Sequence, residues 1–293
     1  MYPETSLAAL ADERIALTAL LLYAGLMMLG TIAALVVTVR LVHRPPDWAC
    51  LRTALAGGPW RWQDLGFVLL SLLGLQAVTG ACTWLIMHSG WLPHGAASGL
   101  PMMILGSLIL DGAGLLALYG YLRWRGVAPD AALNLRQAQA LTGLRSGAVA
   151  YLAVLPLLFT TALVYQFILL RAGIVPSLQN VAEIMLQARD PLTLTYLLLL
   201  ATVLAPLYEE CLFRGIVLPV LLRRMGTGPA IALTSLIFAA IHMHLPSLAP
   251  LFVVSVGFSL AYLYTGSLWA AVCMHSLFNG VNLALLWVIR PAL

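Results

Sequence analysis

Lysine is absent from the 293-residue chain, and charged residues of every kind make up only 9% of it, against roughly a quarter in ordinary soluble domains. So few charges cannot cover a water-facing surface, and a hydrophobic content of 62% with a mean hydropathy of +0.96 agrees. The net charge of +4 therefore comes from arginine alone. The arginines are scattered over candidate loops and form no basic stripe with interleaved aromatics, so a nucleic-acid partner finds no support. The missing lysine, beside abundant Ala, Leu, Gly and Pro, is a weak hint of a GC-rich prokaryotic source. The four cysteines, Cys50, Cys82, Cys211 and Cys273, lie far apart without a CxxC pair, which removes zinc knuckles and redox motifs and leaves them as buried apolar thiols. Glu4, Asp12 and Glu13 precede the first apolar run where a signal peptide would carry positive charge, so that run is expected to stay as a membrane helix. Internal repeats, low-complexity linkers and a separate soluble domain are also missing.

What is present is a series of apolar runs, each long enough to cross a hydrocarbon layer about 30 Å thick. They predict an all-α, polytopic membrane helix bundle of about eight spans: 16–39, 65–87, 101–122, 147–170, 192–222, 228–245, 248–264 and 267–289. The fifth is too long for one simple crossing, so a tilt or a kink near Pro206 is expected. If the amino terminus faces outward, one side collects Arg40, Arg44, Arg52, Arg61, Arg123, Arg125, Arg136, Arg145, Arg223 and Arg224. The other holds only Arg14, Arg171, Arg189 and Arg290. The richer side is expected to be cytoplasmic, which predicts a multi-pass protein of a prokaryotic cytoplasmic membrane. Residues 1–293 read as a single transmembrane domain. The stretches 123–146 and 171–191 are each expected to hold a short interfacial helix, the second with Leu178, Val181, Met185 and Ala188 on one face. Trp62, Trp91, Trp124 and Tyr264 read as interfacial anchors.

Against this apolar background stands Tyr208-Glu209-Glu210-Cys211-Leu212-Phe213-Arg214-Gly215. A charged residue at the centre of a spanning helix costs about 2.5 to 3.5 kcal/mol on insertion scales, so three within six positions point to function. Glu210 and Arg214, four apart, share a helix face and can pair, while Glu209 points about 100° away. A packing ion pair would need one carboxylate, and two are present. Phe238-Ala-Ala-Ile-His242 lies in the next span and His275-Ser-Leu-Phe-Asn279 in the last. Counted from the arginine-rich ends, Glu210 and His242 lie on the order of 21 Å deep, Asn279 about 18 Å and His275 about 12 Å. Three helices thus bring polar groups to overlapping depths. A carboxylate can take a proton from water and pass it to a leaving amine, with histidine orienting the water and neutral donors stabilising an oxyanion, which together suit amide hydrolysis.

In this order and on separate spans, Glu209-Glu210-x-x-x-Arg214, Phe238-x-x-x-His242 and His275-x-x-x-Asn279 resemble the three signature motifs of the CPBP family, the intramembrane proteases that include Rce1-type CAAX prenyl proteases and bacterial Abi proteins. The resemblance covers residues 190–290, leaving 1–189 as amino-terminal helices of uncertain role. It implies an eight-helix bundle and a glutamate-type endopeptidase. Glu209 with His242 would activate water, His275 and Asn279 would hold the oxyanion, and Glu210, Arg214 and Phe238 would support them. Its substrates would be hydrophobic or lipidated peptides or proteins in the bilayer. The arginine count adds that the site is expected to open toward the cytoplasm, and no cofactor is expected.

Rival readings follow from the same residues. Glu209, His242 and His275 are acceptable zinc ligands, so a zinc-dependent hydrolysis is the first alternative, although no HExxH is present and Arg214 is an unfavourable neighbour for a cation. A proton-coupled transporter would use membrane carboxylates and histidines, but paired repeats are missing. A peptide-binding chaperone or immunity protein would need the cavity without the chemistry. Rhomboid-type GxSG and presenilin-type GxGD motifs are absent. His244 reads as interfacial and Asn282 as an extension of the polar wall or an interhelical bond. Asp111, the remaining carboxylate well inside a membrane run, is a candidate for the same cavity or for an arginine pair.

Overall fold

The computed structural model describes residues 5–89 and 106–289. Every regular element in it is helical, and no strand occurs among the described residues. Six helices are long and apolar enough to cross a membrane: Leu17–His43, Asp64–Ile86, Gln137–Arg171, Pro191–Arg224, Leu245–Thr265 and Leu268–Val288. The protein is thus an integral membrane helix bundle. Of the two other expected spans, 101–122 begins outside the described residues and continues as helix over 106–124, and the sixth is an apolar helix of 15 residues, Thr227–Ile241. Trp91 also lies outside the described residues.

The helix Ala140–Arg171 is central because small residues let its neighbours approach. Gly143 and Gly147, one turn apart, face the helix Leu268–Ile289: a Cβ on Gly147 would lie 2.3 Å from the Ala270 carbonyl oxygen. On another face, a Cβ on Gly30 would lie 2.9 Å from the Leu152 carbonyl oxygen. Lipid is as apolar as leucine, so helices in a bilayer associate through such close packing rather than through a hydrophobic drive. The many exposed leucines and valines of Leu17–His43 and Asp64–Ile86 form the lipid-facing surface.

The arginine-rich loops do meet at one end. Arg223 donates to the carbonyls of Ala56, Gly58 and Trp60, Arg52 to those of Leu222 and Met225, both at 3.0 Å, and Arg125 to Asp64 and to the Pro59 carbonyl. The short helix Trp48–Ala56, capped by Asp47, and the turn Pro129–Ala132 lie at this end. At the other, Ser177 pairs with His244 and Gln179 with Ser247, joining the loop after Ile241 to the stretch 171–190. That stretch holds the helix Asn180–Gln187, whose Met185 is buried against Leu197 and Leu283.

Candidate active site

The long helix Pro191–Arg224 departs from α-geometry in two places. Wide π-turns span Leu200–Leu204 and Phe213–Val217, each followed at its second residue by a proline, Pro206 or Pro219. Proline supplies no N–H and its ring presses on the carbonyl four residues back, and a π-turn relieves both by shifting the register. The kink expected near Pro206 thus takes the form of a widened turn just before it. Glu209 and Glu210 lie between the two wide turns, which free backbone groups for other helices. Asn279 uses one, donating from Nδ2 to the Ala201 carbonyl at 2.7 Å.

Glu210 and Arg214 are both 0% exposed and pair at 2.7 Å, as their spacing predicts. The guanidinium also donates to the carbonyl of Ser255 at 3.0 Å, to the Ser255 hydroxyl, and to the Ser259 hydroxyl at 3.4 Å. It stacks 4.8 Å from the Phe238 ring and 5.0 Å from that of Phe258. These partners explain how a charge is tolerated here: every face of the guanidinium meets an acceptor or a π-system.

His275 binds Glu210 more closely than the sequence suggests. Its Nδ1 lies 2.8 Å from Glu210 Oε1, and its Nε2 lies 3.9 Å from Glu209 Oε2. A carboxylate only accepts, so Nδ1 carries the hydrogen and Nε2 is the atom turned toward Glu209. Glu210 is therefore the orienting partner of His275 as well as the counter-ion of Arg214. Glu209 keeps 24% of its side chain exposed, and its Oε2, like Glu210 Oε2, is buried without a hydrogen-bond partner.

His242 directly follows the last turn of Thr227–Ile241 instead of lying within a longer span. The helix ends because Met243 takes a left-handed φ of 49°, and Pro246 then sits in the opening turn of the next helix, Leu245–Thr265, where its missing N–H costs little. His242 Nδ1 donates to the Phe238 carbonyl at 2.7 Å. Phe238 is the hub: its ring lies 4.8 Å from that of His242 and 5.7 Å from that of His275, besides stacking on Arg214. The structure thus gathers Glu209, Glu210, Arg214, Phe238 and His275 into one connected cluster. His242 joins it through Phe238, and Asn279 anchors the neighbouring turn. His244 bonds Ser247 Oγ at 2.8 Å away from this group. Among the described residues, no three His, Cys, Asp or Glu side chains form a group that could hold a metal ion.

Sequence reasoning left Asp111 open and did not anticipate Ser255 and Ser259. The serines are four apart on the helix Leu248–Thr265 and fully buried. Two buried hydroxyls on one face of an apolar helix, opposite a charged helix, are the signal that could have revealed them.

No curated protein and no solved structure matches the chain. Residues 191–281 do match the family model described as Rce1-like, type II CAAX prenyl endopeptidase Rce1-like. The matched segment begins at the first residue of the glutamate-bearing helix and closes just beyond Asn279, so it contains every member of the cluster. Over residues 191–281, about a third of the chain, the protein is thus similar to the Rce1-like proteins of the CPBP family.

Proposed function

We propose that the protein is an intramembrane endopeptidase that hydrolyses a peptide bond near the end of a hydrophobic or lipidated peptide, using water activated by Glu209. The observation that carries this reading is the partnerless Oε2 of Glu209 beside a histidine whose other nitrogen is held by Glu210. At 3.9 Å the pair is too far apart for a direct hydrogen bond, while one water can bond to both atoms. Glu209 takes a proton from that water as its oxygen attacks the carbonyl carbon, and the proton passes to the amine nitrogen as the C–N bond breaks. Asn279 keeps a second N–H for the developing oxyanion, and His242, with Nδ1 held by Phe238, keeps Nε2 for water or substrate.

The arginine-rich end is cytoplasmic in this proposal. Glu209→Gln keeps the shape and removes the base, so turnover falls by about 100- to 10,000-fold while thermal stability is retained. Comparative membrane peptidomics of cells carrying wild type or Glu209→Gln identifies the substrate as a peptide terminus that disappears; identical peptidomes would sink the protease reading and favour a peptide-binding protein. The zinc-dependent alternative, with Glu209, His242 and His275 as ligands, requires that a strong chelator abolish cleavage and that zinc restore it.

A further inference from the structure

One buried carboxylate has no part in the chemistry above. Asp111 is 6% exposed and lies in a third π-turn, Leu108–Ala113. Two contacts join its helix to the glutamate-bearing helix, one on each side of it. Ser107 Oγ bonds the Tyr196 hydroxyl, and Gly114 rests on Tyr208 so tightly that a Cβ there would lie 2.5 Å from the ring. Ser107 precedes Gly114 as Tyr196 precedes Tyr208, so the two helices run parallel and the Asp111 turn lies alongside the segment leading to Glu209. Glu209 is the charged group whose field acts on Asp111. Next to it, a Cβ on Gly112 would meet nothing within 4 Å among the described residues.

The charge of Arg214 reaches Glu209, but Arg214 is already paired with Glu210, so this corner keeps an excess of negative charge. Arg214 is engaged by Glu210, Ser255 and Ser259, Arg125 by Asp64, and no arginine forms an ion pair with Asp111 or Glu209. Two neighbouring carboxylates whose nearby arginine is already paired with Glu210 are unfavourable in a poorly solvated place. A ligand that brings the positive charge reverses that balance. We propose that Asp111, together with the accessible side of Glu209, forms a specificity subsite for a cationic side chain, lysine or arginine, carried by the substrate close to the bond presented to Glu209. The subsite rests on the protease reading for its meaning, since it selects among membrane peptides. A long basic side chain suits it because its apolar stem can lie along the helices while its head reaches the carboxylates.

The test uses the full chain in lipid nanodiscs and fluorescent leucine-alanine peptides of about 20 residues, matching one membrane crossing. Each carries a single arginine, moved position by position, or citrulline, its neutral isostere, at the same place. Binding is read by fluorescence anisotropy and cleavage by mass spectrometry in the same samples. At one position, the arginine peptide is expected to bind wild type about tenfold more tightly than its citrulline twin, a modest value for a close charge pair. Asp111→Asn brings that ratio close to one, and Asp111→Glu, which keeps the charge, preserves it. Equal binding of the twins at every position overturns the subsite, as does a preference that survives Asp111→Asn. Should Asp111→Asn fail to fold, Asp111→Glu decides, because losing the preference in that folded, charge-retaining variant also overturns it. A preference without cleavage of any peptide keeps the subsite and defeats the protease reading; cleavage without preference does the reverse.

Discussion

Two carboxylate–arginine knots hold this molecule together, and they differ in what they leave over. At the arginine-rich end, Asp64 is almost fully buried and both its oxygens are taken: Oδ1 accepts from Arg125 and the Tyr121 hydroxyl, Oδ2 from the Arg61 backbone N–H. Arg125 in turn donates to the Pro59 carbonyl. At membrane depth, Glu210 Oε1 accepts from both Arg214 and His275, while Glu210 Oε2 and Glu209 Oε2 have no partner. A knot that satisfies all its groups fixes helix ends. One that keeps acceptor atoms idle in a desolvated place bears a cost without a structural return, and such groups are where chemistry is expected.

The largest effect should come from cutting the deep knot. Arg214→Met removes the counter-ion from a 0% exposed carboxylate, and breaking such a pair costs about 3 to 5 kcal/mol. A steep fall in unfolding temperature in detergent, together with loss of turnover, is expected. Glu210→Gln combined with Arg214→Met removes both charges and should recover much of the stability. Turnover should stay lost, because His275 is then without its orienting carboxylate. A double variant that regains activity would show that the pair serves packing alone and would erase the contrast between the knots.

That deep knot also marks how far the sequence could be read. Helical spacing was enough to pair Glu210 with Arg214, because residues four apart on one helix must be neighbours. The same rule could not tell which glutamate His275 would meet, since that depends on how two helices rotate against each other. The result is closer to Glu210, at 2.8 Å, than to Glu209, at 3.9 Å. Pro206 signalled a break in the helix but not its form: the wide turn over Leu200–Leu204 frees the carbonyl of Ala201, and Asn279 fills it. The span that carries His242 reads as continuing to 245 because an apolar run goes on past Ile241, whereas the helix ends at Ile241, and the left-handed turn at Met243 is a backbone choice that hydropathy does not record. The long spans themselves were legible, being set by length and apolarity alone.

Cutting the shallow knot sharpens the comparison by doing less. Asp64→Ala leaves Arg125, still 17% exposed, able to turn toward water, so the loss should be that of a charge-assisted hydrogen bond with some solvent compensation, about 1 to 3 kcal/mol. Because the knot ties the loop after Trp48–Ala56 to the end of 106–124, unfolding should begin there, with faster hydrogen exchange at Arg61 and Trp62. Turnover per folded molecule should stay within about twofold of wild type, since surface-end changes of this kind rarely reach a remote site. A large fall in turnover with little fall in stability would make the end knot part of the catalytic apparatus.

The smallest effect concerns a carboxylate outside the membrane core, Asp190, which caps the first turn of the glutamate-bearing helix by accepting from the Thr193 backbone N–H at 2.8 Å. Hydrogen bonds from Thr193 hold its carboxyl below the ordinary value of 3.8. A group that titrates lower in the folded state binds fewer protons there than when unfolded, so its stabilising contribution is complete above the unfolded value. It fades as pH falls through the lower folded one. Asp190→Ala should therefore lower the unfolding temperature slightly at pH 6, and the gap to wild type should close as the pH drops below about 4. Asp190→Asn keeps an oxygen acceptor for the Thr193 N–H but loses the charge that favours a helix amino terminus, so it should fall between the two at pH 6 and hold its place in acid. Thermal scans of the three proteins from pH 6 to pH 3 measure this, and a gap that widens in acid would mean that Asp190 does not cap the helix. Turnover at pH 6 should be unchanged, which separates this carboxylate, with its acceptor atom occupied by its own helix, from Glu209, whose Oε2 is not.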